Sequence, residues 1–467
     1  MFLTALNQAL PSRASGKVSD APPNPHPSPE EMFHTLVNKL AFICDFEPKG
    51  NTVTALAVLR QQNGRVCYVL ASNKRRTGAL RNARAGLQAV LDILKSNLEA
   101  GAGESDDNKL ERRLLEEILS RNNVRVRAYL DALNKHIPTC LKRCDTASQG
   151  GRETKEALEI LKSMIPDPSK NGQKTEEYIN TTIKCIEMIE EHRNSPIQRF
   201  IEARAVEDDS MAKGGSWSRL QHAEGRLLSY KYAAKTFVHA HRLWGNSDLF
   251  RDFDIESIRS SCGYPADVLA HSDPETVETI INRAPSLSPE KAAKYKQHAA
   301  ELQRMYNVNA KLEELWREKK VEPMVHAEML LLDWLQRTEG GTQPGRFFQN
   351  WQYIGSSKPP CRLCQDYFNI IGTPVRFRSG HPNIYLNWKL PDMYVANEKD
   401  QKAIEAARED WCKVLGDMKA RVYKAVIRVL EEKVTDRKPL DSNTFTDRIT
   451  DVGDIKDIAN RLAHTHI

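Results

Sequence analysis

Three residues that can bind a metal ion set the strongest constraint on how this chain can fold. His326 stands in a His-Ala-Glu triplet, and Cys361 and Cys364 stand in a later Pro-Cys-Arg-Leu-Cys run. One imidazole and two thiolates make a three-ligand zinc site with an open fourth position, which is typical of catalytic rather than structural zinc. The chain must therefore fold so that these two distant segments meet.

The local sequence indicates that each segment begins a helix. A proline stands just before the triplet, two prolines precede Cys361, and proline is common in the first turn of a helix. Side chains at i and i+3 share one helix face, so Cys361 and Cys364 point to the same side. Side chains at i and i+2 diverge, so His326 and Glu328 face one pocket only if the triplet lies at the very start of its helix.

Together the two segments resemble the H-x-E…P-C-x-x-C signature of zinc deaminases that act on nucleobases. A longer pattern resembles the branch of the nucleic acid/nucleotide deaminase superfamily that is common in fungi, and the resemblance covers residues 321–395 well and the remainder loosely. That pattern comprises Ser356-Ser357-Lys358-Pro359-Pro360-Cys361-x-x-Cys364, then Ser379-Gly380-His381-Pro382-Asn383-Ile384-Tyr385, and Leu390-Pro391.

The resemblance implies a Zn²⁺ cofactor held by His326, Cys361 and Cys364, with Glu328 as the catalytic proton shuttle. It implies hydrolytic deamination of an amino-bearing nucleobase, cytosine or adenine, in a nucleoside, a nucleotide or a single-stranded nucleic acid. The alternative is a catalytically silent deaminase-fold module that binds a protein partner and keeps a structural zinc. Glu328 argues against that alternative, because a structural site has no use for a proton shuttle.

Seven further residues are candidate substrate contacts. The resemblance implies that an asparagine near position 73 contacts the sugar and that the carbonyl of residue 359 faces the departing amino group. Two arginines on one face of a strand predicted over 375–378 could bind phosphate, although the same pattern is typical of an exposed sheet edge. The candidates are Asn73, Ser357, Pro359, Arg376, Arg378, His381 and Tyr385.

Two apolar runs near the N-terminus, Thr52–Leu59 and Arg65–Ser72, predict a β-hairpin, because the Asn63-Gly64 pair between them is a strong turn signal. We expect this hairpin to belong to the catalytic sheet, with a large helical insertion between it and the His-Ala-Glu helix. A separate small N-terminal unit is the alternative. A lone hairpin is marginal in water and needs a sheet or helix to pack on.

The chain therefore predicts a three-layer α/β/α deaminase domain with a mixed sheet, interrupted by a large all-helical insertion and followed by a long C-terminal helix. A second triplet, His222-Ala223-Glu224, is interpreted as a coincidence on a solvated helix, since no Cys-x-x-Cys lies near it. The predicted divisions are 1–30, disordered; 31–75, a helix and the hairpin; 76–320, the insertion; 321–395, the catalytic core; 396–434, the C-terminal helix; and 435–467, a polar tail.

Composition narrows the class of protein. Charged residues make up 28% of the 467, which is typical of a folded globular chain, and the net charge of +6 permits an anionic substrate. Nine cysteines, an odd and scattered set, do not form a secreted disulfide framework, and neither a signal peptide nor an 18-residue apolar stretch is evident. We therefore expect an intracellular protein with no membrane span. A protein partner or a second copy could bind the insertion or the apolar stripe of the C-terminal helix.

Overall fold

The two apolar runs around Asn63-Gly64 pair as predicted. Strands β1 (Thr54–Arg60) and β2 (Val66–Ser72) form an antiparallel hairpin, and Gly64 in its turn has a φ of 84°, which residues with a Cβ rarely adopt. The computed structural model describes residues 1–11, 27–48, 50–74, 77–99, 106–166, 176–209, 215–261, 276–282, 288–317, 322–395 and 399–436.

The hairpin is part of the sheet that carries the candidate metal ligands. Strand β1 pairs antiparallel with a strand at Tyr353–Ser356, so that Ala55 lies opposite Ser356. That strand in turn pairs parallel with a short one at Arg376–Phe377. The predicted placement of the hairpin in the catalytic sheet is therefore confirmed, and the alternative of a separate N-terminal unit is wrong.

The sequence predicted an all-helical insertion, and this prediction is wrong because the insertion supplies one strand. Strand β3 (Phe253–Ser257) pairs parallel with β2, and the sheet order is β3-β2-β1-β4-β5, with β4 at Tyr353–Ser356 and β5 at Arg376–Phe377. In β3 only Ile255 is buried, and its neighbours are charged. An edge strand of this kind has no apolar run that would distinguish it from a loop.

Helices make up most of the remaining described residues. They are α1 (Phe2–Ala9), α2 (Pro29–Ile43), α3 (Thr77–Glu99), α4 (Asp107–Arg121), α5 (Asn123–Lys142), α6 (Gln149–Met164), α7 (Glu176–Glu191), α8 (Pro196–Asp209), α9 (Ser216–Trp244), α10 (Val277–Asn282), α11 (Pro289–Tyr306), α12 (Val308–Arg317), α13 (Ala327–Arg337), α14 (Arg362–Ile371) and α15 (Gln401–Glu432). Two short 3-10 helices lie at Pro344–Arg346 and Phe348–Asn350.

The sheet separates two apolar cores, because successive side chains of a strand point to opposite faces. On one face Leu56 and Val58 pack with α2 and with helices of the insertion. On the other face Ala55 and Ala57 pack with α13 and α14. The sheet and the helices on its two faces are the three layers that the sequence predicted. The candidate metal ligands lie on the face that carries α13 and α14.

Helix α9 is the central element of the insertion. It contacts α5, α8, α4 and α2, and buried residues occur all around its circumference. The insertion is joined to the sheet through α2, which also packs against β1 and β4, and through its own strand β3, which pairs with β2. The helices of the insertion therefore extend the apolar core on the α2 face of the sheet.

The long C-terminal helix is covered by the chain itself. The middle of α15 packs on α14, and its C-terminal part packs with α1 and α11 through Val426, Val429 and Leu430. The expected disorder of residues 1–30 is wrong for residues 2–9, because Phe2, Leu3 and other apolar side chains of α1 are buried in this third core. The Pro- and Ser-rich residues 12–26 and most of the predicted tail, 437–467, lie outside the described residues.

Gly355, in β4, allows the sheet and α2 to approach each other closely. A Cβ at this position would lie 2.7 Å from the backbone carbon of Val37 and 2.8 Å from the amide nitrogen of Asn38, both in α2. We expect Gly355→Ala to lower the free energy of unfolding by about 1–3 kcal/mol through overpacking, measured by denaturant unfolding.

Gly416 provides the matched control, since it lies within α15 and a Cβ there would meet nothing within 4 Å. Gly416→Ala should raise the free energy of unfolding by about 0.5–1 kcal/mol, because alanine is the better helix former. Equal effects of the two substitutions would contradict the close packing of β4 on α2.

Candidate metal centre

Two helix N-termini bring the candidate ligands together. His326 is the N-cap of α13, with φ −67° and ψ 149°, so that Glu328 lies in the first turn. Cys361 is the N-cap of α14, and Cys364 lies in its first turn. Both segments therefore begin their helices, as the prolines predicted, and His326 and Glu328 can face the same pocket.

The three ligand atoms are spaced as zinc requires. The Sγ atoms of Cys361 and Cys364 are 3.6 Å apart, and they lie 3.6 Å and 3.4 Å from Nδ1 of His326. A tetrahedral zinc ion with Zn–S of about 2.3 Å and Zn–N of about 2.0–2.1 Å sets S···S near about 3.8 Å and S···N near about 3.6 Å. These three side chains can therefore hold a metal ion.

The charges at the site also fit a cation. Although burial opposes ionisation, hydrogen bonds from Cys364 and His326 keep the pKa of the Cys361 thiol well below its usual value. Burial, together with the neighbouring Cys361, raises the pKa of the Cys364 thiol well above its usual value. A divalent ion between the two sulfurs removes the repulsion between thiolates, and both can then ionise.

Glu328 lies beside the three ligands but is not one of them. Its side chain is 2% exposed, and burial raises its pKa, although the positive charge of His326 and a hydrogen bond from Ser356 oppose that rise. Ser356 Oγ donates to Glu328 Oε1 at 2.7 Å. The arrangement provides a buried carboxyl group with a raised pKa next to a three-ligand metal site, as general acid–base catalysis requires.

Two asparagines fix the position of these groups. Asn73 Oδ1 accepts from the Ala327 backbone N–H at 2.7 Å, in the first turn of α13, and Asn73 Nδ2 donates to the Gly50 carbonyl. Asn38 Oδ1 accepts from the backbone N–H of Ser356 at 3.0 Å. The hairpin and α2 therefore hold the two segments that carry the site, and a substrate contact by Asn73 stays a prediction.

The other predicted contacts fall in different places. Ser357 Oγ donates to Asp45 at 3.0 Å within the protein interior, and Arg376 forms an ion pair with Glu30 beside the start of β4. Arg378 Nη1 lies 3.5 Å from the Ser356 carbonyl, at the end of β4 where Glu328 is bound. Of the two arginines, only Arg378 thus lies beside a residue that contacts the site.

The His381 segment lies along the metal ligands. The backbone of His381 forms an isolated parallel β-bridge with that of Cys361. The His381 backbone N–H donates to the Pro360 carbonyl at 2.9 Å, and the residue is 4% exposed. The Tyr385 ring lies 6.1 Å from the His326 ring and 5.8 Å from the His381 ring. Pro359, which directly precedes Pro360, is buried. Substrate contacts by these three residues stay predictions.

The roles of Ser356 and Asn38 were not predicted from the sequence, in which Ser356 was only part of the longer motif. The prediction for the second triplet is wrong, because α9 is not solvated: Ala223 is fully buried, and burial raises the pKa of Glu224 to about 8. That triplet lies within a helix rather than at its start, so His222 and Glu224 diverge. Among the described residues it is not part of any candidate metal group.

Comparison with known proteins supports one assignment. Residues 325–392 match the family model described as "OTT_1508_deam:-like deaminase". No curated protein and no solved structure matches the chain significantly. Among the described residues, no helix is long and apolar enough to cross a lipid bilayer. The cellular compartment stays a prediction. The fungal branch also stays a prediction. Residues 325–392 therefore form a deaminase-like domain, which is consistent with the resemblance to the nucleic acid/nucleotide deaminase superfamily.

Proposed function

We propose that this protein is a zinc-dependent hydrolase that removes the exocyclic amino group of a cytosine- or adenine-type base, in a nucleotide or a nucleic acid. The observation that carries the proposal is the pairing of a His326, Cys361 and Cys364 group at zinc-ligand spacing with a buried carboxyl, Glu328, that is not a ligand. A purely structural site does not need that carboxyl group.

The reaction replaces the C–NH₂ bond of the base with C=O, consuming one water and releasing ammonia. Zinc held by the three ligands supplies Lewis acidity that makes water nucleophilic at neutral pH. Glu328 would take a proton from the attacking water and deliver it to the ring nitrogen. It would then take the remaining proton of the added hydroxyl group, as the C=O bond forms, and pass it to the departing amine. Ser356 holds Oε1 of Glu328 and leaves Oε2 for these transfers.

Three residues near the metal group are the best-supported substrate contacts. The Tyr385 ring lies within contact distance of those of His326 and His381, and Tyr385 and His381 are suited to lie against a base, as aromatic side chains do in nucleic-acid sites. Arg378 is suited to bind a phosphate or an exocyclic oxygen at the end of β4. Arg376 is the weaker candidate because it is already paired with Glu30.

Ammonia release from a panel of nucleosides, nucleotides and short single strands tests the proposal. The zinc-loaded protein should release ammonia from at least one member of the panel, and a polynucleotide substrate should bind with strong salt dependence. Silence on every member, with one zinc bound per chain, would favour a deaminase-fold module without turnover.

Ser356→Ala should move the acid limb of the rate profile to higher pH. Glu328 must be ionised to accept a proton, so the rate falls as pH drops through its pKa. The Ser356 hydrogen bond favours the ionised form. Its loss should therefore raise that pKa and lower the rate on the acid side of the profile by roughly 10-fold, the worth of a hydrogen bond to a charged group. The measurement is the rate against pH for both zinc-loaded proteins.

The neighbouring Ser357→Ala is the control, because the Ser357 hydroxyl bonds Asp45 rather than Glu328. Its acid limb should coincide with that of the parent. An unmoved limb in Ser356→Ala would show that this hydroxyl does not tune the proton shuttle.

A further inference from the structure

A buried polar cluster lies behind the segment that leads to the metal ligands. We call it the seam cluster; it consists of Asp45, Arg125, Tyr129, Arg226 and Lys358. Arg125 lies on α5, Arg226 on α9 and Lys358 on the segment between β4 and α14, so the cluster joins the insertion to the catalytic core. Asp45, Arg125 and Arg226 are 0%, 1% and 5% exposed.

Positive charge exceeds negative charge in the seam cluster. Arg125 Nη1 pairs with Asp45 Oδ2 at 2.7 Å, and Lys358 and Arg226 also interact electrostatically with this one carboxylate. Burial lowers the pKa of Lys358, which interacts electrostatically with Asp45, with both arginines and with the phenol of Tyr129. Arg125 and Arg226 thus bring two buried positive charges to one carboxylate, and, although burial opposes it, they also lower the pKa of the Tyr129 phenol to about 8. Uncompensated buried charge is strongly unfavourable.

The hydrogen-bonding groups of the seam cluster that still lack an acceptor are two donors, one on Tyr129 and one on Arg226. The Tyr129 hydroxyl oxygen accepts from Nε of Arg125 at 2.9 Å and from Nε of Arg226 at 3.1 Å, so its own hydrogen remains to be donated. Nη2 of Arg226 is buried and has no partner among the described residues. An acceptor with several oxygens and negative charge would fill both positions.

We propose that the seam cluster binds a phosphate group, either as inorganic phosphate or as part of a phosphorylated small molecule. Guanidinium groups bind phosphate through paired N–H donors, and two of them from different helices converge here with a lysine. The bound anion would neutralise the cluster and tie α5 and α9 to Lys358, three positions before the ligand Cys361. The proposal does not rest on turnover at the metal centre.

Two measurements on the full chain test this site. Protein purified in phosphate-free chloride buffer and then heat-denatured should release about one phosphate-bearing molecule per chain, and mass spectrometry then distinguishes inorganic phosphate from a larger phosphorylated compound. Stripped protein should gain about 3–5 °C in Tm at inorganic phosphate concentrations near 100 times the Kd, against chloride of equal ionic strength.

Arg226→Gln should abolish this phosphate-dependent gain in Tm. Arg127→Gln is the matched control, since Arg127 also lies on α5 but pairs at the surface with Asp131, and it should keep the gain. If Arg226→Gln does not fold, Lys358→Gln takes its place. The proposed site would be overturned if the parent released no phosphate compound and showed no phosphate-dependent shift in Tm. It would also be overturned if the shift in Arg226→Gln equalled that of the parent. Because no readout uses ammonia, failure here leaves the proposed deaminase activity standing.

Discussion

Replacing Glu328 with glutamine is expected to lower the rate of ammonia release by about 10²–10⁴-fold, the range for loss of a general acid–base group. Glutamine keeps the size of the side chain and can still accept the Ser356 hydrogen bond, but it cannot take a proton from water. Because Glu328 is not among the three candidate ligands, the variant should retain one zinc per chain. The measurements are ammonia release under saturating substrate and zinc content by elemental analysis.

Glu224→Gln is the control for that experiment, since it changes the corresponding glutamate of the other His-Ala-Glu triplet. Burial raises the pKa of Glu224 to about 8, so the side chain is mostly neutral at pH 7 and glutamine is a close replacement in size and charge. We expect parental activity from Glu224→Gln. Parental activity from Glu328→Gln would exclude the proton shuttle. Silence from the parent and both variants, each with one zinc, would favour the structural module.

The second large effect is expected from removal of a metal ligand. Cys364→Ala leaves two of the three ligand atoms, and we expect zinc affinity to fall by at least about 100-fold, since even a partner outside the coordination sphere costs 10–100-fold. Ammonia release should fall to background at zinc concentrations that saturate the parent. A competition titration against a chromophoric chelator measures the affinity.

Cys185→Ala separates the loss of a ligand from the loss of a buried thiol. Cys185 is fully buried in the insertion, where its Sγ contacts the Met164 carbonyl at 3.4 Å. This variant should keep parental zinc affinity and activity, with a modest loss of stability. In the parent, treatment with a strong chelator should abolish activity, and added zinc should restore it. Parental zinc affinity in Cys364→Ala would remove the proposed metal centre.

The features predicted correctly from sequence depend on signals within a few residues of each other. The prolines before His326 and Cys361 indicated two helix starts, and both are observed. The Asn63-Gly64 pair indicated the hairpin, and the i, i+3 spacing of the cysteines placed both sulfurs on one side. Local backbone preferences dictate these features, so a single sequence is enough to find them.

The features that were missed depend on contacts between distant positions. Asn38 bonds Ser356 across 318 positions, and Asn73 bonds Ala327 across 254. Nothing near Asn38 in the sequence marks it as a partner of the site, and serine or asparagine at a strand end is also an ordinary turn residue. Helix α1 escaped prediction for the same reason, because its apolar residues are buried against α12 and α15 near the other end of the chain.

The pairing of β1 with β4 has a consequence for the order of events during protein synthesis. Thr54 and Ser357 are joined by hydrogen bonds although 303 positions separate them, so the hairpin leaves the ribosome long before its neighbouring strand exists. Until then the β1 edge is open to other chains, and the insertion can already fold against α2. A nascent chain halted within the insertion should therefore need chaperone protection at β1, and release of residues 353–357 should end that need.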